Sequence, residues 1–180
     1  MQAHLPLRCT TLLLTALFSL QALAALKLGE NAPLFRTQAA VAGKAFDFDM
    51  AAALKKGPVV LYFFPKAFTQ GCTLEAHAFA EATPRFAAMG ATVVGMSHDD
   101  IATLKRFSTE ACRDQFAVVS DPQAATIKAY DASAAANPQR AERISYVIGQ
   151  DGRIKFVHIG SDPLEHVMQT QAAVKQLSGR

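Results

Sequence analysis

The chain has 180 residues, 51% of them hydrophobic, with 18 Lys and Arg against 15 Asp and Glu and a formal charge of +3. That length suits one domain with a sizeable core, and the interspersed, nearly balanced charges do not call for nucleic acid or an acidic membrane surface. Three cysteines are too few for a disulfide scaffold.

Residues 1–24 read as a cleaved secretory signal. Arg8 supplies the leading charge, Leu12 to Leu20 is the apolar stretch, and Ala22-Leu23-Ala24 is the small-residue cleavage site. The apolar stretch is shorter than the roughly 20 residues that a membrane span prefers, which leaves an uncleaved anchor as the secondary reading. Cys9 precedes the apolar stretch, where a lipoprotein cysteine would not lie. Cleavage removes His4 and Cys9 and leaves 25–180 as a single exported domain, periplasmic or otherwise outside the cytoplasm and free of the membrane, with Cys72 and Cys112 as its cysteines.

From there, hydrophobic runs and turn signals alternate in an α/β rhythm without internal repeats. Pro58 introduces Val59 to Phe64, a β-branched and aromatic run without charges that predicts a central strand buried on both faces. A helix follows from Cys72 to about Met89 with Leu74, Ala78, Phe79, Ala82 and Phe86 at helical spacing, a kink expected at Pro84 and a stop at Gly90. Ala91 to Ser97 predicts a second core strand, and Asp99-Asp100 caps a helix carrying Ile101, Leu104 and Phe107 towards Cys112. Phe116 to Val119 is a short strand, Ser120-Asp121-Pro122 a helix start, Ala124 to Tyr130 helical, and Asp131 to Glu142 an Ala-rich loop. Arg143 to Ile148 and Ile154 to His158 flank the hairpin signal Asp151-Gly152, and a last helix begins near Pro163.

The chemistry concentrates where the central strand ends, at Pro65 and the helix start around Cys72. A helix N-terminus offers unpaired N–H groups and about half a positive charge, and cysteines so placed ionise with pKa values lowered from about 8.5 to about 3.5–7.5.

The segment Pro65-x-x-x-Thr69-x-x-Cys72 resembles the signature of peroxiredoxins of the alkyl hydroperoxide reductase and thiol-specific antioxidant family. With Thr73, Glu75 and the two phenylalanines ahead of Pro65, it is most similar to the bacterioferritin comigratory protein or PrxQ subgroup. The likeness runs from about Leu28 to the C-terminus and includes Ser120-Asp121-Pro122 and Arg143-x-x-Tyr146-Val147-Ile148. It implies an α/β, thioredoxin-like fold, a central mixed sheet flanked by helices, and a thiol peroxidase acting on hydrogen peroxide and organic hydroperoxides.

The same residues make chemical sense in those roles. Cys72 is the nucleophile, and the Thr69 hydroxyl can accept from and donate to the peroxide oxygens. Arg143, always cationic, favours the thiolate and stabilises the departing oxygen. Pro65 shields the sulfur. Glu75, three positions beyond Cys72 and near the same helix face, positions Arg143; taken alone, it reads equally well as a first-turn glutamate favouring the helix dipole.

Many PrxQ relatives carry a second cysteine five residues after the first, and this chain has His77 there, about 140° round the helix from Cys72. Cys112 lies in a region where some relatives place the resolving cysteine. Either it condenses with an oxidised Cys72 once the helix start unwinds, or it is an inert buried thiol in a one-cysteine enzyme.

The five histidines lack metal-ligand spacing, no phosphate loop or dinucleotide fingerprint occurs, and no cofactor or metal is expected. The reductant is therefore another dithiol protein, thioredoxin-like or glutaredoxin-like, acting on a monomer or weak homodimer. The main rival is an exported thiol-disulfide oxidoreductase or redox partner on the same fold. That chemistry uses a C-x-x-C pair, whose first place here is Thr69. A binding module with a structural Cys72–Cys112 bridge is the third reading.

Overall fold

A computed structural model describes residues 25–179; the expected signal, 1–24, lies outside them. In chain order the elements are β1 (Arg36–Val41), β2 (Lys44–Asp49), α1 (Met50–Leu54), β3 (Val59–Phe63), α2 (Gln70–Ala88), β4 (Thr92–Ser97), α3 (Ile101–Glu110) and β5 (Ala117–Ser120), then α4 (Ala125–Ala129), β6 (Ser133–Ala134), β7 (Asn137–Ala141), β8 (Ile144–Ile148), β9 (Ile154–Ile159) and α5 (Pro163–Ser178).

Seven strands form one mixed sheet in the order β2-β1-β5-β4-β3-β8-β9. β3, β4 and β5 are parallel and linked by the crossover helices α2 and α3, whereas β8 runs antiparallel to β3. Every residue of β3 is buried, and its two-residue period splits the core. Val60, Tyr62 and Phe64 enter the cluster with α2, α3 and α5 residues; Val59, Leu61 and Phe63 enter the opposite cluster with Met50, Leu54 and Ile127. A strand covered on both faces has no solvent side, which is why this run carries no charge.

The stripe that seats α2 also orients its functional residues. Cys72, Ala76, Phe79 and Phe86 recur at helical spacing and face the core. Phe79 stacks on Tyr62 with centroids 4.4 Å apart, and burying one such aromatic side chain contributes about 1.5–3 kcal/mol. The helix begins two residues before Cys72, with Thr69 as its N-cap, and continues through Pro84 to Ala88 without a break.

Three further details differ from the sequence reading. Asp100 alone caps α3, accepting the Thr103 N–H at 2.7 Å, while Asp99 turns to other work described below. The expected loop 131–142 contains the β6–β7 hairpin. The antiparallel pair β1–β2 and helix α1 carry little of the apolar alternation that reveals a strand from sequence, since much of β2 is exposed.

Candidate active site

Cys72 is the third residue of α2, so its own N–H and those of Gln70 and Gly71 precede the first intrahelical bond, Thr73 N–H to Thr69 O at 2.9 Å. The Thr69 side chain does not cap these donors. Its hydroxyl is donated to the Lys66 carbonyl at 3.1 Å, which leaves the lone pairs of Oγ1 available on an exposed residue. Cys72 is 2% exposed.

Arg143, immediately before β8, reaches across to the sulfur: Nη2 lies 3.7 Å from Cys72 Sγ. The other guanidinium nitrogen, Nη1, is hydrogen-bonded to Oε2 of Glu75. Glu75 is wholly buried. Burial pushes its carboxyl up to about 8, against the pull of Arg143, which lowers it. When the carboxyl is ionised, a buried ion pair of this kind is justified by geometry more than by energy, because desolvation consumes much of the Coulombic gain.

Pro65 is half-buried at the end of the central strand and, with Glu142, Arg143, Ile159, Gly160 and Ser161, lines a shallow cavity of about 260 Å³. Arg143 therefore spans the distance from this mouth to the thiol. The loop between Pro65 and Thr69 is tied down from behind. Asp99 Oδ2 accepts the Ala67 N–H at 2.8 Å and the Ser97 hydroxyl at 2.8 Å, and the Ser120 hydroxyl is donated to the Asp99 carbonyl. Phe68 holds a left-handed φ of 64° and packs edge-on against Phe107.

Pro65, Thr69, Cys72, Glu75 and Arg143 thus meet at one end of the central strand. Cys112 does not join them. It lies in the turn after α3, fully buried in the same core cluster as Cys72, and both thiols are free. Burial pushes its pKa well above the ordinary thiol value, helped by the nearby Asp114. His77 is half-buried. Among the described residues, no group of three His, Cys, Asp or Glu side chains is arranged to hold a metal ion, and no helix is long and apolar enough to cross a membrane.

Two residues at the site escaped the sequence reading. Asp99 sits beside an obvious capping aspartate, which drew the assignment. His166, 23 positions after Arg143 on α5, is fully buried and comes within 3.9 Å of Glu75; a lone histidine in an amphipathic helix gives no local signal.

The fold and site define a thioredoxin-like protein built around a buried cysteine at a helix start that faces an arginine held by a buried glutamate. Residues 28–157 match the AhpC/TSA family, and the chain belongs to that family. Similar proteins include the chloroplastic peroxiredoxin Q of Oryza sativa subsp. japonica, 31% identical over 124 residues that cover 68% of this chain and 57% of the relative. The Populus jackii peroxiredoxin Q is 32% identical over 124 residues, covering 68% and 58%. The chain thus spans a little over half the length of these curated relatives. Among solved structures, peroxidoxin BcpB of Mycobacterium tuberculosis superposes with a TM-score of 0.76 at 25% identity, covering 84% of this chain and 97% of that one. A PrxQ variant of Xylella fastidiosa superposes with a TM-score of 0.75 at 24% identity, covering 86% and 99%. The likeness to the PrxQ subgroup agrees with the motif around Cys72.

Proposed function

We propose that this protein is an exported thiol peroxidase that reduces hydrogen peroxide and organic hydroperoxides through Cys72. The observation carrying this reading is the 3.7 Å approach of Arg143 Nη2 to Cys72 Sγ, at a helix start whose first-turn N–H groups are uncapped. Both features place positive charge where a thiolate and then a departing oxyanion would sit.

In the reaction, the Cys72 thiolate attacks the terminal oxygen of the peroxide. A sulfur–oxygen bond forms as the oxygen–oxygen bond breaks, leaving Cys72 as a sulfenic acid. The alkoxide or hydroxide leaves towards Arg143 and takes a proton from water at the mouth. Because the Thr69 hydrogen is committed to Lys66, its oxygen serves as acceptor for the peroxide O–H and orients the substrate. Pro65 covers the sulfur, and Glu75 holds Arg143.

Cys112 resolves the sulfenic acid, giving a 72–112 disulfide and one water. A fully buried, weakly acidic thiol cannot attack where it stands, so the start of α2 and the turn after α3 open first. A thioredoxin-like or glutaredoxin-like dithiol protein then returns two electrons and two protons. Residues 1–24 act as the export signal.

Peroxide consumption by wild type, Cys72→Ser and Cys112→Ser tests the reading with two reductants. With dithiothreitol, only Cys72→Ser should be inactive, since a small thiol reduces the sulfenic acid directly. With a thioredoxin-like donor, Cys112→Ser should also stop. Wild-type protein that leaves peroxide unconsumed would overturn the peroxidase reading; undiminished donor-dependent turnover by Cys112→Ser would overturn the resolving role.

A further inference from the structure

Glu75 has two oxygens and only one is explained by the arginine. Oε2 takes Arg143, while Oε1 is buried without a hydrogen-bond partner. An orphaned carboxylate oxygen in a protein interior is costly and calls for a reason. The nearest polar group recorded for it is His166 Nδ1, 3.9 Å away on α5.

His166 is itself held at both nitrogens. Nε2 lies 3.1 Å from the Gly160 carbonyl, which can only accept, so Nε2 carries a hydrogen. Nδ1 lies 2.8 Å from the Ser145 hydroxyl of β8. With the ring neutral, Ser145 donates to the Nδ1 lone pair, and Glu75 Oε1 lies 3.9 Å from the same nitrogen. Two electron-rich atoms in a dry pocket repel, and a proton held by either member of the pair relieves that repulsion.

We propose that His166 is a positioning residue of the Cys72 site: with Ser145 it closes over the free oxygen of Glu75, and one proton held by the Glu75–His166 pair sets how much of the Arg143 charge reaches the sulfur. The inference rests on the peroxidase reading of Cys72.

When the pair carries its proton, Glu75 is neutral or screened by an imidazolium, and the guanidinium charge acts on Cys72. When the proton leaves, a full carboxylate competes with the thiolate for Arg143. The other groups facing this pair are Tyr62 of β3, His158 of β9, whose ring centroid lies 4.5 Å from that of His166, and Asp162 and Glu165 at the start of α5. His158 Nε2, itself buried, is 3.7 Å from Oε2 of the exposed Glu165 side chain, which gives the buried pair a polar neighbour. Burial favours the neutral form of both members, pushing Glu75 up to about 8 and His166 down to about 4. A single proton on Glu75 is therefore the resting arrangement near neutrality, released on the alkaline side.

The test is single-turnover oxidation of Cys72 by hydrogen peroxide between pH 5 and 9.5, read by rapid alkylation and mass spectrometry. Wild type, His166→Asn, Glu75→Gln and the double variant are compared, with thermal melts to verify folding. His166→Asn should slow oxidation by about tenfold, in keeping with a small misplacement of a reacting group, and should displace the alkaline limb of the pH profile. In the Glu75→Gln background the same substitution should do neither, because its target is gone. An unchanged rate and profile for His166→Asn overturns the inference, as does an equal effect with and without Glu75. Should His166→Asn fail to fold, Ser145→Ala, which removes one hydroxyl, takes its place with the same two outcomes. A wild type that does not oxidise at Cys72 overturns the peroxidase reading itself, a result separate from any of these.

Discussion

Arg143 and Cys72 are 71 positions apart in the chain, yet Nη2 of one lies 3.7 Å from Sγ of the other. The contact exists because β3 and β8 are antiparallel neighbours, with Phe63 opposite Ile144, so that the end of one strand meets the beginning of the other. The guanidinium is a rigid fork, and its second nitrogen is used up on Glu75. A lysine ammonium could not span both partners in this planar geometry.

Arg143→Lys should therefore keep the charge and lose the function. The expected result is a fall of about 10- to 100-fold in the rate of Cys72 oxidation, the equivalent of one charge-assisted hydrogen bond. Stopped reactions at several peroxide concentrations measure it, and a rate within twofold of wild type would show that charge alone suffices.

Gly71 separates activity from stability. A Cβ at this helical position would meet Arg143 Nη2 at 3.1 Å and Pro163 Cγ at 3.9 Å. Gly71→Ala should leave the melting temperature unchanged or raised, because alanine is favoured over glycine in a helix by up to about 1 kcal/mol. It should nevertheless slow peroxide reduction several-fold by displacing the guanidinium. A slower enzyme that also melts earlier would point to general damage instead.

Asp99 staples the loop that carries Pro65 and Thr69, through the Ala67 N–H and the Ser97 hydroxyl. Asp99→Ala leaves a buried N–H without an acceptor, at a cost of about 1–3 kcal/mol. Urea denaturation should show that loss, together with reduced peroxidase activity as Thr69 drifts. Asp99→Asn, which retains an acceptor, should recover most of the stability.

The buried pair on α2 and α5 makes a signed prediction for pH. Glu75 is raised from 4.5 to about 8, so the folded state keeps a proton that the unfolded state releases; its contribution is present at low pH and lost as pH rises through that window. His166 is lowered from 6.5 to about 4, so its contribution is present above 6.5 and lost as pH falls towards 4. The two oppose each other where the windows overlap. In urea titrations, Glu75→Gln should make stability rise more steeply with pH up to 6.5, and His166→Asn should expose the Glu75 fall between 4.5 and 6.5, with the slope from there towards 8 unchanged. Parallel pH profiles for both variants and wild type would remove the basis for a shared proton.

Much of the architecture was legible wherever one periodicity dominated. The charge-free run at Val59, the apolar spacing after Cys72 and the Asp151-Gly152 turn each correspond to an element in the structure. β1 and β2 were not: the edge strand β2 is exposed along much of its length, and its neighbour β1 buries only the small residues Ala39 and Ala40, so neither carries the apolar pattern that marks burial. The β6–β7 hairpin was hidden for a similar reason, being short and composed of small and polar residues. At the site, the Pro65-x-x-x-Thr69-x-x-Cys72 spacing stood out because a strand end, a loop and a helix start must follow one another directly in the chain. Asp99, Ser145 and His166 did not, since each belongs to a different element and carries no local signature.

The amino-acid order determined, on its own, that a thiol would stand in the first turn of a helix directly after a buried strand, since those features are local and depend on residue type and spacing alone. It could not decide what faces that thiol. Strand order did so: only when β8 pairs with β3 and α5 packs on α2 do a guanidinium, a carboxylate and an imidazole converge. Their charges acquire meaning from the same folding, because the sheet and helices that bring them together also exclude the water that would otherwise screen them.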